Sequence, residues 1–183
     1  MPRPSGFMRS GFTLVELMIV LVIIGIIAGF AIPNLLESQK AGNETSAEKA
    51  MKTLIDAQAN FMKADYDNDG KDFCDTLAGL HDQVDASGNM IALIPSSLAA
   101  GAMEGYTYSQ MATYNANGGT DPKYGFAYCA VPTLYGDTGR RTYICHHPGE
   151  TWYTDQGNSN PVTDWTWADD AALAAAGWTR LDQ

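Results

Sequence analysis

Residues 11–36 read GFTLVELMIVLVIIGIIAGFAIPNLL, and every other assignment depends on what this stretch is. Leu17 to Leu36 is a run of twenty residues without a formal charge. That is close to the roughly 20 apolar residues a helix needs to cross a bilayer. Glu16 stands at the start of the run, where a carboxylate in hydrocarbon costs roughly 2.5 to 3.5 kcal/mol even on lenient scales, so it needs compensation. A plain membrane anchor or an ordinary secretory signal is the competing reading, the latter with Gly29-Phe30-Ala31 as a small-x-small cleavage site. The apolar region of a secretory signal spans only about 7 to 15 residues, so this run is too long and carries the wrong charge at its start.

Upstream, Arg3 and Arg9 make a short basic leader that ends at Gly11. Removing that leader takes the net charge from −10 to −12, so the remaining surface repels nucleic acid and anionic headgroups. A basic leader before an acidic body predicts a leader in the cytoplasm and a body outside. With 183 residues and 45% hydrophobic composition, the chain holds one globular core besides the apolar arm.

The basic leader, Gly11 before Phe12-Thr13-Leu14-Val15-Glu16, and the late Pro33 together resemble the type IV pilin and type II secretion pseudopilin family. The resemblance covers roughly the first third of the chain. It implies cleavage between Gly11 and Phe12 by a prepilin peptidase, methylation of the new amine on Phe12, and packing of helices from many subunits into a filament core. It also implies that Glu16 pairs with the N-terminal amine of a neighbouring subunit.

Within the apolar run, Gly25 and Gly29 are spaced to let two helix backbones approach closely, although membrane helices also tolerate glycine with no such role. Pro33 removes a donor and crowds the preceding turn, which predicts a kink or a melted segment between Gly25 and Pro33. Gly42-Asn43 is a second weak point. Beyond it, Ala50, Leu54, Ala57, Phe61 and Ala64 recur at helical spacing, opposite a face with Glu44, Glu48, Lys49, Lys52, Asp56 and Lys63. This half of the helix needs a partner, and a sheet encoded downstream is the expected one.

Three segments alternate as strands: 105–109, 123–131 and 141–146. In the second, Tyr124, Phe126 and Tyr128 share one face, while Gly125, Ala127, Cys129 and Val131 share the other. The small face is expected against the helix. Gly136-Asp137-Thr138-Gly139 marks a hairpin turn. A three-residue loop centred on Asp137 would set Cys129 opposite Cys145 and predicts a disulfide between them, leaving Cys74 as the third thiol. A two- or four-residue loop would set His146 opposite Cys129 instead. From Thr154 onward the chain reads as loop, tied down by Trp165, Trp167 and Trp178, with one or two helical turns in 169–177.

Two metal readings arise. Asp65, Asp67 and Asp69 alternate before Gly70, the opening of a calcium loop in which the Lys71 carbonyl would also serve. The twelfth position is Thr76 where such a loop has Glu, and the competing reading is a solvated acidic turn. In Cys145-His146-His147, only Cys145 and His147 would share a strand face and so a transition metal. No phosphate loop, GxSxG or HExxH is present, so no enzyme is expected and no cofactor is required.

The expected fold is α+β: leader 1–11, a long helix 12–64 whose portion 12–36 spans the membrane before assembly, and a C-terminal antiparallel-sheet domain, 65–183. The expected protein is a structural subunit of a type IV pilus or pilus-like filament, with identical or related subunits and a prepilin peptidase as partners. It would sit in the inner membrane and then in an extracellular or periplasmic filament. A type II secretion pseudopilin is the alternative within the class. A membrane-tethered calcium-dependent binding module is the alternative outside it.

Overall fold

The protein is described by a computed structural model covering residues 11–66, 72–85, 87–111, 125–167 and 169–181. It divides into two units, Met1–Ser38 and Gln39–Gln183. One helix, α1 (Leu14–Ala64), supplies residues to both. Three short helices follow: α2 (Gly79–Asp82), α3 (Ser96–Ala99) and α4 (Asp170–Ala175). The strands are β1 (Ala102–Met103), β2 (Tyr106–Gln110), β3 (Ala127–Pro132), β4 (Arg141–His146), β5 (Glu150–Asp155) and β6 (Thr179–Arg180). They form one antiparallel meander in the order β1-β2-β3-β4-β5-β6. This is the expected α+β arrangement of a long apolar-ended helix and a small antiparallel sheet.

In the first unit, Ile and Val would favour a strand on propensity alone, yet a segment in lipid must satisfy its own backbone, which a helix does. The helix is long and apolar enough to cross a membrane. Pro33 lies inside it, and the melted segment expected between Gly25 and Pro33 is not formed. One missing donor is a small loss in a helix this long, and the Asn34 side chain donates to the Phe30 carbonyl at 3.2 Å in the same turn. Helix also continues through Gly42-Asn43, where the Asn43 amide donates to the Thr138 carbonyl at 2.8 Å.

In the second unit, α1 buries Ala47, Ala50, Met51, Leu54, Ala57, Gln58 and Phe61. Against this stripe lie Tyr106, Tyr108, Phe126, Tyr128, Ala130, Tyr143 and Cys145 of the sheet region. The expectation that the small face of β3 meets the helix is therefore corrected. The helix supplies the alanines, so the sheet supplies the large rings, and large against small fills the interface. The small face, Ala127, Cys129 and Val131, packs with Ile144, Trp152, Leu173 and Trp178. With both faces covered, β3 is buried at all six positions.

The tail from Thr154 is corrected in part: it completes β5 and adds β6, while α4 falls within the helical turns expected in 169–177. The β5 stretch, Glu-Thr-Trp-Tyr-Thr-Asp, is rich in the β-branched and aromatic residues that suit strands. Asp169 caps α4 by accepting from Ala172 N–H at 2.8 Å.

The β3–β4 register pairs Cys129 with Ile144 and Tyr128 with Cys145. Cys129 and Cys145 are thus offset by one residue and fall in the two cores on opposite sides of the sheet. Both are thiols, and the expected bridge is not formed. His146 stands opposite Ala127, so the other expected pairing, His146 with Cys129, is not formed either. The connection is longer than any of the three turns considered, spanning 133–140, and two contacts to α1 shape it. Arg140 N–H donates to Glu44 Oε1 at 2.9 Å, and the Thr138 carbonyl accepts from Asn43.

Candidate functional site

The N-terminal site is built on Thr13 and Glu16. Thr13 N–H and Thr13 Oγ1 donate to Glu16 Oε2 at 2.9 and 2.8 Å, and Glu16 N–H donates to Thr13 Oγ1 at 3.2 Å. This is a reciprocal capping box at the start of α1. It gives the Glu16 carboxylate two donors within its own chain, compensation that the reading from residue charge did not find. The signal was present as Thr13-Leu14-Val15-Glu16, the S/T-x-x-E pattern.

Around it the surface is apolar. Phe12 is 84% exposed, and Leu14 through Leu36 leave Leu, Ile, Val, Met and Phe side chains uncovered by the chain. Exposed apolar patches beyond a few hundred Å² are rare on soluble monomers and mark sites of association or membrane contact. A Cβ added at Gly25 or Gly29 would meet nothing within 4 Å among the described residues, so packing among them requires neither glycine.

The calcium reading falls on a loop of which Asp67, Asp69 and Lys71 lie outside the described residues. Asp65 is described, with φ +52° just after α1, the left-handed position at which helices commonly end.

The expected Cys145 and His147 pair belongs to no group of three or more possible metal ligands among the described residues. Cys145 is fully buried in the core under α1, while His147 sits in the β4–β5 turn against the Phe73 and Phe126 rings, at 5.0 and 6.3 Å. Its middle neighbour is the one in a cluster. His146 and Glu150 are a directly opposed pair at the mouth of the β4–β5 hairpin, with Nε2 4.0 Å from Oε2. Asp170, from the first turn of α4, completes a set of three donors whose ligand atoms lie within 4.8 Å of one another. This cluster could coordinate a metal ion. Arg180 of β6 reaches it too, 2.6 Å from Glu150 Oε1 and 3.8 Å from Asp170 Oδ2. The sequence held a signal in His146 and Glu150 flanking His147-Pro148-Gly149, a turn that sets them across from each other.

Comparison with known proteins bears on the first of these sites. Residues 7–32 match the prokaryotic N-terminal methylation motif. The chain is 49% identical over 54 residues to the type IV major pilin protein PilA of Myxococcus xanthus (strain DK1622), covering 30% of this chain and 24% of that protein. It is 35% identical over 66 residues to the type II secretion system core protein G of Pectobacterium carotovorum subsp. carotovorum, covering 35% of this chain and 39% of that protein. A third match, to the core protein G of Vibrio cholerae serotype O1 (strain ATCC 39315 / El Tor Inaba N16961), is 46% identical over 39 residues, 21% of this chain and 27% of that one. The chain thus spans well under half the length of each of these relatives. No solved structure gives a significant match. The motif and these similarities make the N-terminal third of the chain similar to a type IV pilin and to type II secretion core proteins.

Proposed function

We propose that this chain, a carrier of the prepilin-type methylation motif with similarity to a type IV pilin and to type II secretion core proteins, is a structural filament subunit. The observation that carries the reading is the apolar surface of 12–36, which the described residues leave uncovered, together with the methylation motif over residues 7–32. In this reading a prepilin peptidase cuts after Gly11 and the amine on Phe12 is methylated. Residues 12–36 then leave lipid for a bundle of like helices, with Gly25 and Gly29 at close helix contacts and Pro33 tolerated within the packed core. Glu16 selects the register by pairing with a neighbouring amine, exchanging its hydrogen bonds to Thr13 for an ion pair.

A surface pilus and a secretion pseudopilus share these steps. The M. xanthus relative favours the first, and the second stays open through the core protein G relatives. Native subunits should have an intact mass beginning at a methylated Phe12, and electron microscopy should find them in filaments. A mass that retains Met1–Gly11, or one that reports cleavage after Ala31, would overturn the reading. Calcium at Asp65, Asp67, Asp69 and the Lys71 carbonyl rests on sequence spacing alone. Titration of the full-length chain in detergent tests it, with binding expected to be lost in the Asp67→Ala, Asp69→Ala double variant.

A further inference from the structure

We propose that His146 Nε2, Glu150 Oε2 and the Asp170 carboxylate form a binding site for a divalent transition-metal ion such as Zn²⁺. It lies on the side of the sheet covered by the tail residue Trp165. Three geometric features carry this assignment.

The His146 ring is fixed in one tautomer. Its Nδ1 lies 2.6 Å from the His147 carbonyl, which can only accept, so the ring proton is on Nδ1 and the Nε2 lone pair points towards Glu150. Metal-ligating histidines are commonly oriented by this kind of bond from the other ring nitrogen. The Trp165 ring, 4.3 Å from the imidazole, packs against it.

Glu150 Oε2 is buried, with no hydrogen-bond partner among the described residues. It faces His146 Nε2 at 4.0 Å, so two lone-pair donors confront one another across a gap too wide for direct contact. Zinc bonds of about 2.0 to 2.2 Å to nitrogen and oxygen place two donors of a tetrahedral site roughly 3.4 Å apart. Closing this gap by about half an ångström suffices.

The donor set is one imidazole and two carboxylates, a mixture that suits zinc, cobalt or manganese better than calcium, which takes oxygen alone. Three protein ligands leave a fourth position for water or for a group from another molecule. Arg180 is the competitor. Half-exposed and held by Glu150 Oε1 and Asp170, it supplies positive charge to the same carboxylates and can swing out to solvent when a metal enters.

The full-length chain in detergent, stripped with chelator, is titrated with Co²⁺ alone and then with Zn²⁺ in competition. The expected result is one equivalent of Co²⁺ with visible ligand-field bands, displaced by Zn²⁺. Asp170→Asn, a half-exposed position, should weaken binding at least tenfold, and Arg180→Met should tighten it severalfold. Glu104→Gln, a remote acid, should change nothing. His146→Gln tests the nitrogen ligand, and should it fail to fold, Asp170→Asn and Arg180→Met still decide. No binding below 1 mM Co²⁺, equal binding by Asp170→Asn, or weaker binding by Arg180→Met would overturn the site. Loss of binding in the Asp67→Ala, Asp69→Ala variant would place the metal in the other loop and overturn it as well.

Discussion

The two halves of α1 share a backbone conformation and little else. Between Leu17 and Leu36 the side chains, Asn34 apart, are apolar around the whole circumference and remain largely exposed. Between Gln39 and Ala64 the helix is two-sided, with an alanine-rich stripe under tyrosines and a charged face outside. A helix that is hydrophobic all round requires a lipid or protein surround, whereas an amphipathic one is satisfied by a single partner surface. The second half completes a folded unit and the first advertises an association. Two glutamates repeat the contrast. Glu16 is held by Thr13 three residues away, and Glu44 by Arg140 nearly a hundred residues away.

Mutations should separate the two halves, and the largest effect is expected at Glu16. Glu16→Val removes the carboxylate and its bonds to Thr13, yet leaves the second unit untouched. Filament yield should fall at least tenfold while membrane insertion and the thermal midpoint of the second unit stay at wild-type values. Wild-type filament yield would remove the register argument.

The next contrast uses one chemical change at two sites. Leu54 is fully buried, and Leu54→Ala should destabilise the folded unit by about 3 kcal/mol, from lost transfer energy plus the residual cavity. Leu21 is 59% exposed within the chain, so Leu21→Ala should leave denaturant unfolding of the detergent-solubilised subunit unchanged. Its effect belongs in filament stability. Equal effects on unfolding would mean that the two halves are one cooperative unit.

A smaller effect is expected at the loop that fastens the sheet to the second half of the helix. A Cβ on Gly139 would overlap the Tyr106 hydroxyl, which donates to the Arg141 carbonyl at 2.9 Å. Gly139→Ala should therefore cost about 1 to 3 kcal/mol in denaturant unfolding. A neutral result would show that the loop shifts freely and that its fastening to Asn43 and Glu44 does little.

The halves also differ in how far they could be read in advance. The exposed half was legible because its signal is local: an uncharged run, a methylation motif and an acid at the start of the run. The sheet was legible in its strong strands, where alternation marks burial. Its register was not, because the β3–β4 connection takes its length from hydrogen bonds to Asn43 and Glu44, far off in the sequence. The facing of β3 was missed for a related reason. Whether small or large side chains meet a helix depends on the stripe the helix presents, and Ala47, Ala50 and Ala57 had already taken the small role. The His146, Glu150 and Asp170 cluster needed three elements at once, the β4–β5 hairpin, α4 and β6, of which only β4 and a turn of α4 were foreseen.

The smallest effects are expected at the two thiols that this register sends to opposite faces. Burial pushes the Cys129 thiol up to about 12, even though Val162 N–H donates to its sulfur, and burial raises the Cys145 thiol too. A thiol raised in the folded state binds its proton more tightly there than in the unfolded chain. Its contribution to stability is full below the ordinary thiol value of about 8.5 and is lost as pH rises above it. Stability should therefore decline between about pH 9 and 11, and Cys129→Ala should flatten that decline at the expense of a small cavity. Iodoacetamide should leave Cys129 and Cys145 unmodified in the native subunit and modify both in denaturant without reductant. Resistance that persists in denaturant until a reductant is added, with a peptide linking the two, would establish the bridge. It would also move β3 and β4 by one residue, exchanging the tyrosine face of β3 for its small face against the helix.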